Sequence, residues 1–175
     1  MSLDALRDAL PEYAKDLKLN LGSLASDTTL TEQQKWGAFL ASAFAVGEPQ
    51  TVKALLQEAT ARLEPAAQTA AKAAAAIMGM NNIYYRATHL ISNKEYATLR
   101  AGLRMNIIAN PGVDKADFEL WSLTVSAING CGTCLDSHEA ELRKHGITAP
   151  QVQTALKIGA VVNAAAAVLR AEAAA

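Results

Sequence analysis

Little in this chain points outward. Over 175 residues the formal net charge is −1, with 19% charged residues, so no electrostatic surplus draws nucleic acid or an anionic membrane. No basic patch leads into an apolar run within "MSLDALRDAL", and no export signal is read there. The most apolar late stretch, "LKIGAVVNAAAAVL", is interrupted by Lys157 and Asn163 and dominated by alanine. It reads as too short and too weakly hydrophobic to span a bilayer. The expectation is a soluble, cytoplasmic protein with no nucleic-acid and no membrane partner. Alternating runs of Val, Ile, Thr and aromatics are also missing, which removes strands from the reading. Cysteine is nearly absent: the two present, Cys131 and Cys134, are three positions apart.

Apolar residues are plentiful. They make up 51% of the chain, enough for a single domain over residues 1–175 with a sizeable core. Ala, Leu, Glu, Gln and Lys recur at three- and four-residue spacing, the pattern of amphipathic helices, and the fold class is all-α. Thr31 with Gln34, and Thr148 with Gln151, fit capping boxes. Pro49 and Pro65 suit first helical turns. "NPG" at 110–112 and Asn129–Gly130 read as breaks. About eight helices result, over roughly 3–16 (disturbed at Pro11), 31–46, 49–62, 65–80, 94–109, 114–128, 131–145 and 149–172, with 83–93 ambiguous.

The chain also echoes itself. A slide of 84 sets "LASA" (40–43) over "TVSA" (124–127), and a slide of 85 sets "QTAAKAAAAI" (68–77) over "QTALKIGAVV" (153–162). This suggests a duplicated three-helix unit over about 31–80 and 115–172, although alanine-rich helices also match by composition. The first-half positions opposite Cys131, Cys134 and His138 are Gly47, Gln50 and Ala54, so chemistry belongs to the second half alone.

The stretch that bears chemistry is "AINGCGTCLDSHEAELRKHG", residues 127–146. Asn129–Gly130 closes one helix and the next starts near Cys131, which places both cysteines in a first turn. Unpaired N–H groups and the helix dipole favour a thiolate there. A thiol of pKa ~8.5 is about 3% ionised at pH 7, whereas one lowered to ~7 is about half ionised. Helix positions three apart lie roughly 5–6 Å apart at Cβ, close to disulfide reach. His138 shares their face one turn on and can accept and return a thiol proton. A surface histidine is the structural alternative, and its place beside the only two cysteines favours catalysis. Glu119 lies on a stripe with Ser122, Ser126 and Gly130 that ends at the cysteines. By spacing alone Glu119 is more simply a first-turn carboxylate complementing its own helix.

Rival chemistries can be set against the letters. Covalent c-type haem needs a histidine directly after the second cysteine, where Leu135 stands. A thioredoxin-like setting needs a preceding strand. Zinc could take Cys131, Cys134 and His138 with His145 or His89, but a second ligand pair in a loop or knuckle is missing. Redox chemistry therefore ranks above zinc.

"LPEYAKDLKLNL", "AAIMGMNN", "GLRMNIIANPG", "FELWS" and "SAINGC…C" together resemble the AhpD family. Its members are the D subunits of alkyl hydroperoxide reductases, within the all-helical carboxymuconolactone-decarboxylase-like superfamily. The resemblance runs from about Leu10 to Val168, and its motif is met by Glu119, Cys131, Cys134 and His138. It implies a homotrimeric antioxidant disulfide reductase with weak alkyl hydroperoxidase activity and no tightly bound cofactor. Electrons come from dihydrolipoyl groups on a dihydrolipoamide acyltransferase and pass to a partner peroxiredoxin. Cys134 is then the nucleophile that becomes a sulfenic acid or mixed disulfide. Cys131 is the proton donor and resolving thiol, and Glu119 and His138 form a proton relay. One departure stands out: family members carry a histidine just before the second cysteine, where this chain has Thr133.

Overall fold

The computed structural model describes residues 1–175, and every regular element in it is helical. In chain order these are α1 (Leu3–Ala9), α2 (Lys15–Ser26), α3 (Glu32–Val46), α4 (Pro49–Thr60), α5 (Pro65–Leu90), α6 (Glu95–Thr98), α7 (Lys115–Ile128), α8 (Gly132–Lys144) and α9 (Ala149–Glu172). Short 3₁₀ turns lie at Glu12–Ala14 and Asn106–Ile108.

Both expected capping boxes form, Thr31 with Gln34 and Thr148 with Gln151, and Pro49 and Pro65 open their helices. Three boundaries differ from the sequence reading. The first segment splits at Pro11 into α1 and α2, because the extended Pro11 ends the helical run and the 3₁₀ turn redirects it. Helix α5 runs through the ambiguous stretch to Leu90. A helix over 94–109 does not form beyond α6 and the 3₁₀ turn: Gly102 adopts a left-handed φ of 66°, and Tyr96 and Leu99 face solvent. Short helices without a buried face gain little from packing.

Helices α3 and α7 form the centre and pack on each other, with α5 and α9 against both. Helix α4 lies on α3, the α1–α2 hairpin covers α4 and α9, and α8 packs on α7 and α5. The approach of α3 to α7 depends on Gly37: a Cβ there would lie 2.1 Å from the Trp121 ring. That indole donates its N–H to the Gln34 carbonyl at 3.0 Å. Helix α9 corrects the hydropathy expectation. Its most apolar 18-residue window has a mean hydropathy of 1.5, enough by length and composition to cross a membrane. Half of that window is buried inside the protein, where α9 packs as a core helix against α2, α3, α4 and α7.

Candidate active site

Helix α7 is capped by Asp114, whose side chain accepts from the Ala116 N–H at 2.8 Å, and it brings Glu119 into the interior at 5% exposure. The chain leaves α7 through Gly130, whose left-handed φ of 66° makes the turn, and enters α8 at once. Cys131 is the N-cap of α8 and Cys134 sits three residues on, in its first turn. The two are joined as a disulfide with a Cα–Cα distance of 5.3 Å.

The two sulfurs differ in access. Cys131 is fully buried, whereas Cys134 lines a cleft of about 550 Å³ together with Glu119, Thr133 and His138. Met78, Tyr85, Met105 and Ile108 supply apolar wall from α5 and the segment before α7. Asn81 is also part of this wall, and its buried Oδ1 has no hydrogen-bond partner.

The same cleft that exposes Cys134 is lined by the carboxylate–imidazole pair. His138 Nδ1 is 2.6 Å from Glu119 Oε2, and both residues are buried. An ionised carboxylate only accepts, so in this contact the proton lies on Nδ1, which donates to Glu119. Nε2 lies 3.3 Å from Met78 Sδ. Neither cysteine sulfur is hydrogen-bonded to His138; its ring is oriented by α7 and α5 instead. The structure thus brings Glu119, Cys131, Cys134 and His138 to one place, and it lifts Glu119 out of the first-turn role that spacing alone assigns it.

At the far end of the cleft Lys144 (2.8 Å) and Lys115 (3.1 Å) bind Glu141 and hold its carboxyl down at about 2. The proposed zinc ligands do not converge. His145 pairs with Glu141 at the other end of α8, about 16 Å along the axis from Cys134 at 1.5 Å per residue, and His89 is exposed on α5.

Sequence reasoning missed the contribution of α5. Asn82 is fully buried, donates to Ser126 Oγ at 2.9 Å, and accepts from Asn129 Nδ2 at 3.0 Å. Arg86, one turn further, donates to the Asn129 carbonyl. The "MNN" at 80–82 lay inside a stretch read for resemblance; a polar pair within an alanine-rich helix was the available signal.

Dithiol–disulfide chemistry in an all-helical frame is the class to which fold and cleft point, and comparison with known proteins narrows it. Residues 94–175, the half holding the site, match the Carboxymuconolactone decarboxylase family. The chain is 72% identical to "Alkyl hydroperoxide reductase AhpD" of Maricaulis maris, covering 98% of this chain and 99% of that protein. It is 67% identical to the protein of the same name from Hyphomonas neptunium (99% and 97% covered) and 60% identical to that of Streptomyces coelicolor (99% and 97%). The chain belongs to the alkyl hydroperoxide reductase AhpD family.

Proposed function

We propose that this protein is an antioxidant thiol–disulfide oxidoreductase, a lipoyl-dependent peroxidase with alkyl hydroperoxidase activity. It also returns the peroxiredoxin subunit of an alkyl hydroperoxide reductase to its reduced form. The observation that carries this reading is the asymmetry of the disulfide: Cys134 lines the cleft and Cys131 is sealed behind it.

The asymmetry supports one order of bond changes. A thiolate of a dihydrolipoyl group, borne by a lipoylated dihydrolipoamide acyltransferase, attacks Cys134 Sγ. The S–S bond breaks, and Cys131 leaves with the electron pair. The departing thiolate sits at the start of α8, where first-turn N–H groups favour negative charge, and a low-pKa thiol leaves faster. The second lipoyl thiol then displaces Cys134, leaving the lipoyl disulfide and a Cys131–Cys134 dithiol. In the forward direction the Cys134 thiolate attacks the peroxide, the O–O bond breaks, and the alkoxide is protonated to alcohol as Cys134 becomes a sulfenic acid. Cys131 attacks that sulfur, water leaves, and the disulfide re-forms. With a peroxiredoxin disulfide in place of the peroxide, Cys134 forms the mixed disulfide and Cys131 resolves it. Cys131 donates a proton in this cycle, and Glu119 with His138 relays protons through water. Their buried 2.6 Å contact supports that role.

The cycle belongs in the reducing cytoplasm and, following the family, in a homotrimer. Exposed Leu90, Tyr96 and Leu99 offer apolar surface for contact between copies. The chain is further proposed to be an internally duplicated unit over about 31–80 and 115–172, within one domain of residues 1–175.

The test is peroxide turnover driven by dihydrolipoamide. Cys134→Ser is expected to abolish it, and Cys131→Ser to leave a mixed disulfide at Cys134 visible by mass. Wild-type rates in both variants would overturn the assignment. Stoichiometric zinc in chelator-free protein would favour a metal-binding module. Activity untouched by thiol alkylation would favour the decarboxylase chemistry named by the wider family.

A further inference from the structure

Arg86 has no role in the cycle above, yet it lies against the turn that delivers Cys131. Its guanidinium donates to the carbonyl of Asn129, and its Nη1 lies 3.8 Å from the point where a Cβ on Gly130 would stand. Cys131 follows directly, with its own N–H donating to the Ser126 carbonyl at 3.1 Å. One turn earlier on α5, Asn82 ties Ser126 Oγ and the Asn129 side chain together. Helix α5 therefore holds the turn that leads into Cys131, through the Asn129 carbonyl and the Ser126 and Asn129 side chains. None of the molecule's ion pairs includes Arg86. A guanidinium is charged at every working pH, so an unpaired positive charge stays fixed beside the helix start.

We propose that Arg86 is a positioning residue for the redox pair, holding the Asn129–Gly130 turn and stabilising the Cys131 thiolate that the opening disulfide releases. The inference rests on the Cys131–Cys134 pair cycling between disulfide and dithiol. It goes beyond that reading by assigning the charge that favours the reduced state to α5, outside the motif. Arg86 lies outside the cleft, whose charged or titratable lining groups are Glu119 and Lys115 from α7, His138, Glu141 and Lys144 from α8, and Tyr85 from α5. The cations among them, Lys115 and Lys144, are engaged with Glu141, and the Glu119 carboxylate contacts His138. Arg86 is thus the cation beside the turn that no carboxylate neutralises.

The experiment equilibrates full-length protein with dithiothreitol redox buffers at pH 8, where the reduced pair holds thiolate, and reads free thiols by mass after alkylation. Dithiothreitol opens the disulfide whether or not lipoyl groups are the biological donor, so this measurement is independent of the donor assignment. Electrons balance in one exchange: protein disulfide plus dithiothreitol gives protein dithiol plus oxidised dithiothreitol. Arg86→Gln is expected to shift the equilibrium about tenfold toward the disulfide, about 30 mV for a two-electron couple. It should also slow disulfide opening by a similar factor. Arg86→Lys, which keeps the charge, should stay within about threefold of wild type. Far-UV circular dichroism and thermal midpoints confirm that both variants are folded. A folded Arg86→Gln protein with the wild-type equilibrium would overturn the proposal, and so would Arg86→Lys shifting as far as Arg86→Gln.

Discussion

Glu119→Gln keeps the size of the side chain and removes its charge, which makes it a direct probe of the carboxylate–imidazole pair. The contact it alters is 2.6 Å long between groups only 5% and 8% exposed. A hydrogen bond to a charged group contributes about 1.5–3 kcal/mol and a neutral one about 0.5–1.5, so the change should cost about 1–2 kcal/mol. His138→Gln leaves the carboxylate in the same pocket without its imidazole, and breaking a buried pair from one side costs about 3–5 kcal/mol. Both changes strike one bond, so the double variant should lose less than the sum of the singles, by about 1–2 kcal/mol. Urea unfolding of the four oxidised proteins, followed by circular dichroism, gives that cycle. Dihydrolipoamide-driven peroxide turnover gives a second one. General acid–base groups contribute about 10²–10⁴ in rate, so Glu119→Gln should slow turnover at least about tenfold, and the double variant should be no slower than the slower single. Stabilities additive within about 0.5 kcal/mol, together with rate losses that multiply, would refute a coupled relay.

Gly37→Ala places a methyl 2.1 Å from the Trp121 ring, so overpacking should lower stability on the order of 3 kcal/mol in urea unfolding while leaving the thiols reactive in whatever folds. Thr133→His restores the family histidine to the cleft wall and should raise peroxide turnover several-fold; an unchanged rate would show that Glu119 and His138 already suffice. Glu141 has its folded pKa depressed to about 2 by Lys144 and Lys115, so its stabilisation is present above its ordinary value of 4.5 and is lost as pH falls through 2. The thermal midpoint of Glu141→Gln should therefore lie below wild type at neutral pH and converge with it near pH 2.

Local signals were legible wherever a side chain acts on its own backbone. Thr31, Thr148, Pro49 and Pro65 mark helix starts because capping and fixed φ operate within one turn. The cysteine turn was legible for the same reason, since Gly130 and the N-cap are contiguous with the chemistry. The segment over 94–109 was misread because its apolar residues keep helical spacing without a partner to bury them, and spacing records no partner. Met78, Asn82 and Arg86 were not legible as site residues. They lie 60, 44 and 43 residues from His138, Ser126 and Asn129 in sequence and reach them only because α5 packs on α7 and α8. Glu119 sits between these cases: spacing alone left it a first-turn carboxylate and only the family resemblance tied it to the cysteines, while its bond to His138 required the packing of α7 on α8.

The proposed duplication gives the disulfide a physical counterpart in the other half. Gly47 and Gly130 both turn the chain with left-handed φ, 67° and 66°, between a central helix and the next. Matching these glycines pairs Cys131 with Glu48 and Cys134 with Thr51, one residue on from the Gly47 and Gln50 that a slide of 84 selects. Glu48 is the N-cap of α4, and its carboxylate accepts from the Thr51 N–H and the Thr51 hydroxyl, each at 2.6 Å. Cys131 is the N-cap of α8 and makes no such side-chain bond, because its sulfur is joined to the residue at the matching position. An anion therefore satisfies one helix start, and a disulfide occupies the other. In the proposed cycle, opening that disulfide sets the Cys131 thiolate where the first half holds the Glu48 carboxylate, against first-turn N–H groups that favour negative charge. The helix start that a carboxylate caps permanently in the first half is, in the second, charged only in the reduced state, and this coupling of charge to redox state gives Arg86 a thiolate to stabilise.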